Sequence, residues 1–278
     1  MRYEAFGLQI DSEIKFSELF TSRSFPLRQG FGGQVSVGRP DVKIQQSVIT
    51  SPTFEIPGVG RFQIPDDSHI FFDGTHLDPI RPFLLGTAMG ILLQKRGYLV
   101  LHGNAIAHDN QCVVFMGPSG AGKSTLTGCF MRAGYHVLTD DVCAIRFNPG
   151  PEVIPSYPQI KLWKDSAELL GYDIAQLKPL FERENKFAIP LGEQFCSTPK
   201  PIKKIYLLGE SPLNRFQKLA SLIQNTYRLQ FLETPEEHAR HLELCQMLLQ
   251  HVPIQSLLHR PPLDGGSSWN HWVSNLLC

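Results

Sequence analysis

The chain has 278 residues, 42% of them hydrophobic, with 26 basic and 26 acidic side chains that leave a formal net charge of zero. That length and apolar share suffice for a large core, and the lack of any basic excess gives no support to electrostatic capture of nucleic acid or of an anionic membrane. The longest apolar stretch, Pro82 to Leu93, is interrupted by Gly86, Thr87 and Gly90 and is too short to cross a bilayer.

Residues 1 to about 78 carry short alternating runs at Gly7–Ile10, Val42–Ile44, Phe62–Ile64 and Ile70–Phe72, punctuated by Gly, Pro and Asp. This pattern predicts a β-rich layer rather than a separate globule. Pro79 to Arg96 follows as a helix with Leu84, Leu85, Ala88, Met89, Leu92 and Leu93 on one side, ending before Gly97. The expected division is an N-terminal segment, 1–95, packed on a second domain, 96–278.

Tyr98 to Ala107 reads as a strand, His108 to Gln111 as a polar turn, and Cys112 to Met116 as the returning strand of a hairpin. With Asp109 and Asn110 at the turn centre, His102 falls opposite Gly117. His102 is then either aimed at what the loop from Gly117 binds or a structural histidine at a strand end, and the sequence favours neither.

Directly after that strand comes Gly117-Pro118-Ser119-Gly120-Ala121-Gly122-Lys123-Ser124-Thr125, the GxxxxGK[ST] pattern of a phosphate-binding loop. Glycines let backbone N–H groups close around a polyphosphate, and the following helix adds partial positive charge at its N-terminus. Lys123 is expected to reach the β- and γ-phosphates, and the Ser124 hydroxyl to ligate Mg²⁺. The competing reading is a glycine-rich turn without a ligand.

The next helix is expected from Gly122 to Ala133, closed by Gly134. Tyr135 to Ile145 then forms a strand interrupted by Asp140 and Asp141. Two carboxylates in an apolar strand are costly unless a cation or hydrogen-bond donors meet them, so the pair reads as a site, against the alternative of a solvated strand end. Successive strand residues face opposite ways, so either the chain bends here or one carboxylate alone points at the loop.

A proline-rich connection with a hairpin, Phe147 to Pro158, leads to Gln159–Asp165 and a short helix through Leu170. Leu177 to Pro190, with Lys178, Arg183 and Lys186, reads as a solvated charged loop in preference to a mobile lid. A strand at Lys203–Leu208, a helix at Pro235–Val252 and a last helix at Ser267–Leu277, with Trp269 and Trp272 as packing residues, complete the chain. His238, His241 and Cys245 share helical spacing, and a solvated helix face is the favoured reading over a metal set. Six cysteines without CxxC spacing, and an opening Met1-Arg2-Tyr3-Glu4 without an apolar targeting core, lead to the expectation of a reduced, cytoplasmic protein.

With Leu101-His102-Gly103, the loop Gly117–Thr125 and Thr139-Asp140-Asp141 in this order, the chain resembles the catalytic domain of HPr kinase/phosphorylase over about residues 95 to 208. The segments Tyr157–Asp165 and Tyr3–Leu8 look more like short HPr-kinase-like proteins, some of which accompany peptide-modification systems such as lasso peptide maturation. The resemblance implies an α/β fold, a P-loop kinase domain of the HPr kinase type with an N-terminal β-rich layer and C-terminal helices. It also implies ATP plus Mg²⁺ and transfer of the γ-phosphate to a serine of a protein or peptide, with a homo-oligomer as family precedent.

On that reading Lys123 and the loop amides hold the phosphates, Ser124 and Asp141 organise Mg²⁺, Asp140 accepts the hydroxyl proton, and His102 orients or balances charge near the γ-phosphate. The order of the two aspartates follows the resemblance and can be reversed. Asp165 sits roughly where the longer enzymes place an acidic magnesium ligand. A small-molecule kinase and a P-loop ATPase switch are the alternatives, since the loop does not specify an acceptor.

Overall fold

The computed structural model describes residues 1–21, 33–39, 52–74, 76–181, 184–209, 213–258 and 267–277. The strand expected at Val42–Ile44, Arg183 and the side chain of Trp269 lie outside the described residues. The protein is mixed α/β.

Seven N-terminal strands form the first sheet: β1 (Arg2–Ala5), β2 (Leu8–Ser12), β3 (Phe20–Thr21), β4 (Gln34–Gly38), β5 (Thr53–Ile56), β6 (Gly60–Gln63) and β7 (His69–Asp73), in the order β3-β1-β2-β4-β7-β6-β5. Alternation puts Tyr3, Leu8, Ile10, Val35 and Ile70 on the buried side. This layer is not a free-standing globule, because its core is shared with residues of the later sheet: Val100, Val142, Ala144, Ile154 and Tyr157 pack in the same cluster as Phe6, Ile10 and Leu92. The Phe6 amide also donates to the Ser156 carbonyl at 3.1 Å.

The expected helix runs from residue 77 to 95 in three parts: α1 (Leu77–Phe83), a π-helical turn (Leu84–Ala88) and α2 (Met89–Lys95). Every residue from Leu84 to Leu93 is buried, so it is a core helix between layers.

The second sheet holds the site. It comprises β8 (Leu99–His108), β9 (Gln111–Met116), β10 (His136–Thr139), β11 (Val142–Phe147), β12 (Pro151–Ile154), β16 (Lys200–Leu208) and β17 (Ile254–Leu257). Strands β8 and β9 pair antiparallel from His108↔Gln111 to Gly103↔Met116, the register that the turn at Asp109 and Asn110 predicts. His102 stands one step beyond the last pair, level with Gly117. The proline-rich connection is the β11–β12 hairpin, as expected.

Helix α3 (Lys123–Arg132) packs Leu126 and Phe130 against one face of this sheet, with Phe115, Tyr206 and the C-terminal helix α7 (Ser267–Leu277) completing the cluster. On the other side, α5 (Arg215–Gln224) and α6 (Pro235–His251) bury Leu222, Cys245 and Leu248 against Leu101, Val114 and Leu207. A reciprocal capping box between Thr234 and Glu237, with Pro235 in the first turn, starts α6.

Two expectations change. Leu177–Pro190 is not a solvated loop: it contains a hairpin, β14 (Lys178–Phe181) and β15 (Glu184–Pro190), which joins β13 (Gln159–Trp163) in a three-stranded sheet. Phe187 and Ile189 are buried there, an alternation that outweighs the charges between them. The His241–Cys245 stripe is likewise not solvated. His241 and Cys245 face the core, His241 Nε2 lies 2.7 Å from Thr226 Oγ1, and only His238 is exposed. Burial holds the His241 imidazole below its ordinary pKa and pushes the Cys245 thiol up to about 12. Among the described residues no three His, Cys, Asp or Glu side chains converge as a metal site.

Candidate active site

Strand β9 delivers the chain into the glycine-rich loop Gly117–Thr125, and Gly117, Gly120 and Gly122 take φ angles of 150°, 82° and 98°. A Cβ placed on Gly120 or Gly122 meets nothing within 4 Å, so the loop surrounds open space. Pro118 and Ser119 lie exposed at the lip, and the Ala121 amide turns back to the Pro118 carbonyl at 3.1 Å. Lys123 Nζ donates to the carbonyls of Gly117 (2.8 Å) and Pro118 (3.1 Å), folding its ammonium over the cradle. Burial lowers the Lys123 pKa against the opposing pull of Asp141 and Asp140.

Thr125 Oγ1 lies 2.7 Å from Ser166 Oγ, which fixes α4 (Lys164–Leu169) beside the start of α3. Asp165, in the first turn of α4, is exposed and has no hydrogen-bond or ion-pair partner among the described residues.

Asp140 and Asp141 form the bend between β10 and β11. Thr139 faces Ala105 and Val142 faces His102 on β8, the same offset on either side of the two aspartates, and Asp140 meets Asn104 between them. Asp140 is 2% exposed. Its Oδ1 accepts from Ser124 Oγ (2.9 Å) and Asn104 Nδ2 (2.6 Å), and its Oδ2 accepts from the Lys161 amide (2.8 Å). Burial, then the neighbouring Asp141 charge, raises its pKa.

Asp141 takes φ 78°, a left-handed angle uncommon for a residue with a Cβ, which turns its carboxylate away from that of Asp140. Oδ1 meets His102 Nε2 at 2.9 Å and Oδ2 meets Lys161 Nζ at 3.3 Å. Burial alone would push this carboxyl up; Lys161 first, then His102, more than reverse it and hold Asp141 well below the usual carboxylate range. The strand therefore bends and the two carboxylates part, which answers the choice left open by the strand's periodicity.

Lys161 comes from β13, between the buried Ile160 and Leu162. Burial works against its charge, yet Tyr157, Asp141, Tyr227 and Asp140 carry its pKa well above the ordinary lysine value. Tyr157 shares a hydrogen bond with it. Tyr227 sets its ring edge-on to the His102 imidazole, centroids 6.1 Å apart, and hydrogen-bonds Thr87 on the π-helical turn. Arg228, at φ 56°, lies over the Tyr227 ring and donates to Thr87 Oγ1 at 3.2 Å.

The structure thus gathers His102, Lys123, Ser124, Asp140 and Asp141 at one end of the second sheet and leaves Asp165 on the flank. Asn104, Tyr157, Lys161 and Tyr227 belong to the same constellation without a motif to announce them. Ser124 and Asp140 supply adjacent hard oxygen donors, which fit Mg²⁺. The open cradle with Lys123 folded over it fits a polyphosphate. No protein-family model matches the chain, and a comparison with curated proteins finds no match.

Proposed function

We propose that the protein is an ATP-dependent phosphotransferase, a P-loop kinase of the HPr kinase type that transfers the γ-phosphate to a serine hydroxyl of a protein or peptide. The observation that carries this reading is the Ser124–Asp140 contact behind the phosphate loop, with a second carboxylate, Asp141, turned outward beside His102. A nucleotide-hydrolysing switch needs a positioned water and moving loops more than it needs that second carboxylate.

The roles of the two aspartates are exchanged relative to the order the resemblance implies. Asp140 is 2% exposed, enclosed with Ser124, Asn104 and the Lys161 amide, in a position that an acceptor hydroxyl does not reach. Asp140 with Ser124 would hold Mg²⁺, whose charge would offset that of the transferring phosphoryl group. The side chain of Asp141 keeps about a quarter of its surface open, and it aligns the acceptor hydroxyl.

Lys123 leaves the Gly117 and Pro118 carbonyls to bind phosphate oxygens, and the loop amides fix the β-phosphate. The hydroxyl oxygen attacks the γ-phosphorus as the bond to the bridging oxygen breaks. Its proton passes to Asp141 and is shared with His102. A carboxylate held this low is a weak base, which suffices where the proton leaves late, from an oxygen already bonded to phosphorus. Lys161 keeps Asp141 ionised and oriented until that proton arrives.

The test is turnover of γ-labelled ATP with Mg²⁺ in the presence of serine-bearing peptides and cell extract, following label into protein, peptide and free phosphate separately. Label on a serine, lost in Asp141→Asn, supports the assignment. Free phosphate alone points to an ATPase, and label on a small metabolite to a small-molecule kinase.

A further inference from the structure

The three-stranded sheet carries a lysine that the mechanism does not use. Trp163 pairs with Lys186 across β13 and β15, and Lys161 pairs with Ala188 two positions along. Side chains two apart on a strand share a face, so Lys161, Trp163 and Lys186 stand on the same face. Lys161 forms the inner end of that row, at Asp141; Trp163 forms the outer end and is 49% exposed. Lys186 Nζ lies 5.3 Å from the centroid of the Trp163 ring, a cation–π contact. Among the described residues no carboxylate pairs with Lys186 in an ion pair. The face that carries Lys186 leads through Lys161 to Asp141, so Lys186 stands on the side of the hairpin that faces the site.

An ammonium resting on an exposed aromatic ring is held only weakly. A phosphoryl oxygen is a much stronger partner for it. Lysine also has the reach and the rotatable stem to exchange one partner for the other.

We propose that Lys186 is a third phosphate-binding cation, parked on Trp163 in the free protein and drawn onto the terminal phosphoryl group of a nucleoside triphosphate. The proposal rests on the P-loop reading above and deepens it, because it distinguishes triphosphate from diphosphate. Lys123 serves both nucleotides from inside the loop, whereas Lys186 approaches from the hairpin side and meets only the group that is transferred. Departure of that group as phosphoserine leaves Lys186 to return to Trp163.

The experiment combines calorimetric affinities with tryptophan emission on the full chain, using the Mg²⁺ complexes of a non-hydrolysable ATP analogue and of ADP. Wild-type protein is expected to change its emission with the triphosphate and not with ADP, and Trp163→Phe to lose that change. Lys186→Met should lose it too and weaken triphosphate affinity by roughly 10- to 100-fold, with ADP affinity within about twofold of wild type. Lys186→Arg should recover most of the triphosphate affinity. Equal triphosphate affinity in wild type and Lys186→Met would overturn the inference and leave the P-loop reading intact. Failure of wild-type protein to bind either nucleotide would overturn both.

Discussion

The carboxylates of Asp140 and Asp141 leave a single bend in opposite directions: Asp140 turns inward to Ser124 and Asn104, and Asp141, at φ 78°, turns outward to His102 and Lys161. Adjacent acids placed in such different surroundings are expected to fail differently when neutralised. Asp141→Asn should lower transfer by about 10²- to 10⁴-fold while Mg²⁺-dependent nucleotide affinity stays close to wild type. Asp140→Asn should instead weaken the Mg²⁺-dependent part of that affinity. Isothermal titration beside a label-transfer assay separates the two, and the reverse pattern would restore the order that the resemblance implies.

Lys123 is folded onto its own loop by two carbonyl contacts. Replacing it with alanine removes a charge-assisted phosphate contact worth about 1.5–3 kcal/mol, so ATP and ADP affinities should both fall by roughly 10- to 100-fold. Unchanged ADP affinity in Lys123→Ala would count against phosphate binding at this loop.

The Asp141–Lys161 pair makes stability depend on pH at both ends. Asp141 titrates below its unfolded value, so its contribution is present above about pH 4 and is lost as the pH falls toward its folded value. Lys161 titrates above its unfolded value, so its contribution is present below about pH 10 and is lost as the pH rises through its folded value. Lys161→Met should cost about 2–3 kcal/mol at pH 7, less than a fully buried pair because Asp141 is 24% open to water. Thermal melts should show the gap between wild type and Lys161→Met narrowing from pH 5 to pH 3. A gap of constant size would assign the loss to packing.

Gly90 is a contact requirement: a Cβ there would stand 2.7 Å from Cδ1 of the Tyr227 ring. Gly90→Ala should therefore destabilise the fold by about 1–3 kcal/mol despite the better helix propensity of alanine. Because Tyr227 sets its edge against His102, transfer should drop as well, and denaturant titration with the label assay reads both. A gain in stability would mean that Tyr227 can move freely.

The parts of this site that were legible in the sequence are those fixed by local rules. The glycine-rich turn at Gly117–Gly122, the β8–β9 register and the ends of α3 and α6 follow from glycine placement, turn residues and capping within a few positions. Lys161 and Asn104 are held by contacts across 20 and 36 residues of chain, with Asp141 and Asp140 respectively, which no local rule predicts. A signal was nonetheless present. Each is a polar residue inside an apolar strand run, and the cost argument that singled out Asp140 and Asp141 applies equally to them. Tyr227 and Arg228 carried no such signal, because an aromatic residue at a helix exit is ordinary core. The β14–β15 hairpin was hidden by its charges, although Phe187 and Ile189 kept the period of two.

The π-helical turn at Leu84–Ala88 gives the 77–95 helix two rotational phases. Thr87 meets Arg228 and Tyr227 from within the turn, and Gly90 meets Tyr227 from just after it. Each residue advances a regular helix by about 100°, and the wide turn absorbs one extra residue, so regular winding over the same residues would swing everything on its N-terminal side around by roughly that angle. The N-terminal sheet and the wall behind His102 would then demand incompatible orientations of one rod. The extra residue is what lets a single helix serve both layers at once.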